Sequence, residues 1–227
     1  MRLPMTRDGR REVILATVVF AAGVGLGAWF FWPVAGVFGV LWLFVLAFFR
    51  DPERTGPTDP AALLAPADGK ITEVTHLDNE PALGGPAVRI GIFLSIFDVH
   101  INRSPCDGRV VGCDYKRGRF LNALRPESST ENESNTVTIE STHPCVGRIL
   151  VRQVAGLIAR RIVCHCGPGD QLTRGQRFGM IKFGSRTELT VPAHGGLEIT
   201  TRVGDKVRAG RTVLLRVAVE PPEPDSA

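Results

Sequence analysis

No charged residue occurs between Val13 and Phe49, whereas beyond Ala67 the apolar residues come in short runs broken by Gly, Pro and Asp. The first pattern predicts helix in an apolar medium, and the second predicts strands. At about 1.5 Å per residue, one continuous helix over the uncharged stretch would reach about 55 Å, well beyond a bilayer core of about 30 Å. Pro33, flanked by Trp29, Phe30, Phe31 and Trp32, suits a bend close to a membrane interface. Two helices are therefore expected, about Val13 to Phe31 and Val34 to Phe49, forming a hairpin anchor. Arg7, Arg10 and Arg11 precede it and Arg50 and Arg54 follow it, which puts both ends in the cytoplasm by the positive-inside rule. A cleaved signal peptide would carry an apolar core of about 7 to 15 residues, much shorter than this one.

Runs rich in Val, Ile, Leu and Thr fall at Lys70 to Val74, Val88 to Leu94, Arg109 to Val111, Thr136 to Glu140, Arg148 to Ala155, Arg160 to Cys164, Glu188 to Val191 and Val213 to Val219. Short strands at such close turn spacing predict a mainly β domain. Within it, Gly169-Asp170-Gln171-Leu172-Thr173-Arg174-Gly175 recurs as Gly204-Asp205-Lys206-Val207-Arg208-Ala209-Gly210. Two tight turns of one kind are implied, with Gly supplying positive φ and Asp bonding back to its own backbone. The pattern resembles the turns of barrel-sandwich domains in the biotinyl and lipoyl carrier group, although no Met-Lys-Met-like tip is present. The expected fold is mainly β: a barrel-sandwich-like soluble domain preceded by an N-terminal helical membrane hairpin. Its parts would be a basic cytoplasmic N-terminus (1–12), the two-helix anchor (13–49), a linker rich in Pro, Asp and Thr (50–66), the soluble domain (67–220) and a disordered tail (221–227).

The five cysteines, Cys106, Cys113, Cys145, Cys164 and Cys166, are odd in number and have no disulfide-framework spacing, in keeping with a reducing compartment. A strand through Cys164-His165-Cys166 would send both thiols to one face as small core residues, and no metal is expected. His143 and His165, beside cysteines, read as structural. The formal charge of +4 and the pI near 9.0 suit anionic lipid head groups and nucleic acid alike.

The candidate chemistry starts at Phe183-Gly184-Ser185-Arg186, between two strand-like stretches. Gly-Ser alone is an ordinary turn. Upstream, however, Pro66-Ala67-Asp68-Gly69 and Phe97-Asp98-Val99-His100-Ile101-Asn102-Arg103 make an Asp and a His available to a Ser, as a nucleophile triad requires. Pro-Ala-Asp-Gly is also a turn signature, so Asp68 is read both ways. Taken in order, Phe49-Arg50-Asp51-Pro52-Glu53-Arg54, the two segments just named, Glu131-Asn132-Glu133-Ser134-Asn135, Gln153-Val154-Ala155-Gly156, Ala159-Arg160-Arg161-Ile162 and Phe183-Gly184-Ser185 resemble the phosphatidylserine decarboxylase family over nearly all of the soluble domain. The short chain with its two-helix anchor is similar to that family's compact prokaryotic branch.

The resemblance implies that Ser185, deprotonated by His100 with Asp68 behind it, attacks the Gly184 carbonyl and cleaves the chain between Gly184 and Ser185. Ser185 would become a pyruvoyl group, a ketone that accepts the substrate amine and the electrons released with CO2, so no separate cofactor is needed. It further implies an anionic phospholipid substrate at the inner membrane, a domain facing the cytoplasm, large and small chains that stay associated, and no nucleic acid, with a homo-oligomer left open. Phe97 stands where several relatives of the larger bacterial branch have a second histidine, so no role of that histidine carries over. Asn102, Arg103 and Asn135 are open between head-group binding and loop support. The reading from a different class is a membrane-tethered barrel-sandwich adaptor or carrier with an intact chain.

Overall fold

The structure, a computed structural model, describes residues 5–123, 125, 127–143, 145–157, 161–182, 185–193 and 196–217. Gly184 and the expected disordered tail (221–227) lie outside them. Helix α1 (Arg10–Phe30) and helix α2 (Trp32–Phe48) form the hairpin. The break falls at Phe31, which is extended, and Pro33 sits in the first turn of α2, where its missing N–H is not needed. The helices pack closely because Gly27 faces the Ala35 backbone, where a Cβ would lie 2.7 Å from the Ala35 nitrogen. Gly23 leaves room for Phe38, whose ring meets Phe20 at 6.1 Å, and Trp42 Nε1 donates to Thr17 Oγ1 at 3.1 Å. The outer faces, with Ile14, Val18, Trp29, Trp32 and Leu43, are exposed and apolar, and α1 is long enough to cross a membrane.

The rest is mainly β. Strands β2 (Gly69–Glu80), β3 (Gly85–Leu94), β5 (Gly108–Lys116), β6 (Ser134–Ser141), β7 (Arg148–Val154), β9 (Gln171–Leu172), β11 (Ser185–Pro192) and β13 (Lys206–Val207) form one curled antiparallel sheet in the order β13-β2-β3-β11-β7-β6-β5-β9. Their alternate residues, among them Ile71, Ile90, Ile92, Val110, Val137, Ile139, Val151 and Leu189, supply the core. Two small sheets flank it. One orders β4 (Ile101–Arg103), β10 (Arg177–Lys182) and β8 (Arg161–Cys164) as β4-β10-β8; the other orders β1 (Ala62–Leu64), β14 (Val213–Val217) and β12 (Leu197–Ile199) as β1-β14-β12. The helix α3 (Ser128–Glu131) is a single turn.

The repeated Gly-Asp turns close the two ends of the large sheet in the same way. Gly169 and Gly204 have φ of 100° and 102°, which an L side chain adopts only with strain. Their N–H groups donate to Val110 and Ile71, while Asp170 and Asp205 accept from the Gly167 and Arg202 amides. The likeness extends to Pro66-Ala67-Asp68-Gly69 and Pro105-Cys106-Asp107-Gly108, which lead into β2 and β5. Asp68 Oδ1 accepts from Ala209 N at 2.8 Å, and Asp107 Oδ1 accepts from Arg174 N at 2.9 Å.

The stretch 50–66 differs from the linker its composition predicts. Asp51 accepts from Arg103 and Arg177, Arg54 holds Asp68, and Ala62–Leu64 pairs with β14. Proline keeps this segment extended, and its charged side chains dock it as a strap, so the packed domain begins at Ala62 rather than Ala67.

Candidate active site

Strands β10 and β11 are consecutive in the chain but belong to different sheets, so the chain changes sheet between Lys182 and Ser185, and residues 183 and 184 lie outside the described ones. Strands β3 and β4 make the same crossing through residues 95–100. Ser185 lies opposite Leu94, Met180 lies opposite Ile101, and Ile181 N donates to the His100 carbonyl at 3.1 Å. The two crossings are thus pinned together at both ends, which brings the loop of His100 to the connection that ends in Ser185. Asp98 shapes that loop: its Oδ2 accepts from Ser95 N at 2.8 Å and from Ser95 Oγ at 2.7 Å.

His100 is fully buried, with Nδ1 3.0 Å from the Asp98 carbonyl oxygen. A carbonyl only accepts, so Nδ1 carries the proton and Nε2 is the basic nitrogen. Burial is the main reason that the His100 pKa falls to about 4; the Asp98 carbonyl and the charges of Asp98 and Asp68 raise it, and Arg50 lowers it. At neutral pH only about one ring in a thousand is charged, so the site holds a base already free of its proton. The ring stacks on Phe48 at the end of α2, with centroids 4.4 Å apart.

Ser185 is also fully buried, and its Oγ has no hydrogen-bond partner, which is uncommon for a buried hydroxyl. Asp68 is placed differently from a simple triad member. Its carboxylate is taken up by Arg54, at 2.5 and 2.7 Å, and by Ala209 N. The atom facing Nδ1 is the Asp98 carbonyl, and Asp68 acts on His100 through its charge.

A buried polar chain supports the first turns of β11. Asn102 Nδ2 donates to Thr187 Oγ1 at 3.0 Å, Gln153 Nε2 donates to Asn102 Oδ1 at 2.9 Å, and Asn135 Nδ2 donates to Gln153 Oε1 at 3.0 Å. Asn102 and Asn135 are therefore committed to the scaffold. Arg103 is likewise engaged, by Gly175 and Pro52 carbonyls and by Asp51. Asn102→Ala would strand a hydroxyl and an amide in the core, at about 1–3 kcal/mol for each unsatisfied group. A melting midpoint several degrees below wild type is expected by calorimetry, and an unchanged midpoint would contradict this account.

Sequence reasoning missed the clasp between anchor and site. Lys182, the last residue of β10, donates to Glu12 Oε1 at 2.5 Å and to the Asp8 carbonyl at 2.9 Å. Thr6 N donates to the Phe49 carbonyl at 3.0 Å, and Arg50 bonds the Ala47 and Phe97 carbonyls. Phe97 itself meets Phe44 of α2 edge-on. The available signal was an acidic pair, Asp8 and Glu12, set among the arginines at the edge of the apolar stretch.

A buried serine hydroxyl without a hydrogen-bond partner and a buried neutral histidine, with Phe48 of the apolar hairpin against the histidine ring, are the groups on this β domain suited to serine–histidine chemistry. Residues 41–215 match the family model described as phosphatidylserine decarboxylase. A phosphatidylserine decarboxylase proenzyme of Rhodopirellula baltica is 48% identical over 215 residues, covering 94% of this chain and 88% of the relative. Proenzymes of the same name from Geobacter metallireducens, 43% identical with 89% of each chain covered, and Carboxydothermus hydrogenoformans, 42% identical with 95% and 97% covered, agree. The chain belongs to the phosphatidylserine decarboxylase family and is an enzyme of that family.

Proposed function

We propose that this chain is made as a precursor, cuts itself between Gly184 and Ser185, and then converts phosphatidylserine to phosphatidylethanolamine and CO2. The observation that carries this reading is the sealed Ser185 Oγ, without a hydrogen-bond partner, at a sheet crossing pinned to the loop of a neutral histidine. His100 Nε2 takes the Ser185 proton, and Oγ attacks the Gly184 carbonyl carbon, replacing the Gly184–Ser185 amide with an ester. Removal of the Ser185 α-proton then expels the Gly184 carboxylate and leaves a dehydroalanine, and water releases its nitrogen as ammonia.

The residues present fit a pyruvoyl group at this position. It would be made from Ser185 itself, and no donor or acceptor restrains the hydroxyl that must leave. The group would supply a ketone for the head-group amine and an electron sink for the loss of CO2. Around it, the Asn102–Thr187 bond and the pairing of β11 on both sides hold the site in place. The Phe48 ring keeps water from His100, which moves protons in both stages.

The apolar hairpin supports a place on the inner membrane with the domain in the cytoplasm, since Arg7, Arg10 and Arg11 flank it and its two ends meet at Thr6 and Phe49. The adaptor reading loses its motive, because the repeated Gly-Asp turns serve to close the sheet. Detergent-solubilised protein is expected to release CO2 from phosphatidylserine and to lose that activity after hydroxylamine, a carbonyl reagent. Activity that survives hydroxylamine would overturn the pyruvoyl assignment, and no release from phosphatidylserine would overturn the substrate.

A further inference from the structure

Cys113 of β5, Cys164 at the end of β8 and Cys166 two residues later bring their sulfur atoms within 4.8 Å of one another. The strand alternation turns Cys164 and Cys166 to one side, with Sγ atoms 3.6 Å apart, while His165 points away to Asp8 at 2.8 Å. We propose that these three thiols form a binding site for a thiophilic metal ion of the zinc type, held by three thiolates with a fourth position open to water.

Geometry carries the assignment. A tetrahedral centre with metal–sulfur bonds of about 2.3 Å places its sulfurs about 3.8 Å apart, close to the spacing that Cys164 and Cys166 already have. Cys113 comes from a different sheet, so an ion here would clip the edge strand β8 to β5. All three side chains are only partly buried, which leaves a path for the ion. In the metal-free arrangement Cys113 and Cys164 both offer S–H to the Cys166 carbonyl at 3.5 Å, weak bonds that thiolates give up. Binding exchanges three protons for one divalent ion, without change of oxidation state, and releases those protons to solvent. On β6, the strand beside β5, Asn135 begins the buried chain through Gln153 and Asn102 to Thr187.

The test is a Co2+ titration of the reduced, chelator-treated full-length protein in detergent. One ion per chain is expected, with sulfur-to-cobalt charge-transfer absorption and tetrahedral visible bands that Zn2+ abolishes, and with a higher melting midpoint. Cys113→Ser, Cys164→Ser and Cys166→Ser each weaken binding by roughly tenfold or more, whereas Cys106→Ser and Cys145→Ser titrate as wild type. A wild-type protein with three free thiols and no charge-transfer band would overturn the proposal whatever the variants do. So would an unchanged band in the variant lacking all three, or a disulfide among them that excludes metal.

Discussion

Replacing Ser185 by alanine leaves the chain whole, at 24.6 kDa, and reduces decarboxylation to background. Both results follow from one atom. Without Oγ nothing attacks the Gly184 carbonyl, and without the cut position 185 never becomes a ketone. Wild-type protein, denatured and weighed by mass spectrometry, is expected to give a larger fragment ending at Gly184 and a smaller one with a carbonyl at its start. The variant keeps the fold, because the hydroxyl it removes makes no hydrogen bond. A wild-type chain that stays whole in membranes and in detergent would sink self-processing.

His100→Gln slows self-cleavage by about 10²- to 10⁴-fold, the usual contribution of a positioned base. The pH dependence is the more discriminating measurement. With the His100 pKa lowered to about 4, chiefly by burial, wild-type cleavage keeps its base through the mildly acidic range and loses it as pH falls through about 4. A midpoint near 6.5 would contradict a buried neutral histidine. The same shift has a consequence for stability, best read in uncut Ser185→Ala protein. Between about pH 6.5 and pH 4 the unfolded chain binds the proton that folded His100 refuses, so stability is full above that window and falls as pH drops through it. The total is about 3 kcal/mol. Adding His100→Gln is expected to remove that part of the acid sensitivity.

The hairpin was legible because a long uncharged stretch with one central proline has few alternatives. The helix break moved only to Phe31, since Pro33 is tolerated in the first turn of α2. The Gly-Asp turns were legible because glycine at positive φ and aspartate in a turn leave a local signature. Strand β1 was not: Ala62–Leu64 is three residues long, inside a Pro-rich stretch, and becomes a strand only by pairing with β14. Strand β4 was hidden for another reason, its Asn102 and Arg103 being buried but polar. Within the site, Ser185 and His100 could be named but not their partners. Arg54 meets Asp68 and the Ala209 carbonyl, and Phe48 reaches His100, through contacts that arise only when distant segments fold together. Cys113 joins Cys164 and Cys166 in the same way, where sequence offered only two thiols on a strand.

Strand β11 is bonded on both flanks, to β3 and β7, and farther along β13 and β14 pair with β2 and β1. A break at its leading end would sever no ladder, yet the two products would be interlaced through the middle of the sheet. The smaller is expected to leave only if the whole domain unfolds, and reassembly would then be a meeting of two molecules instead of the closing of one chain. Self-cleavage as proposed would also carry its own proofreading. The start of β11 and the loop of His100 are held side by side only when β11 pairs with β3 and β10 with β4, so on the proposed mechanism a misfolded copy would keep its peptide bond and stay inactive.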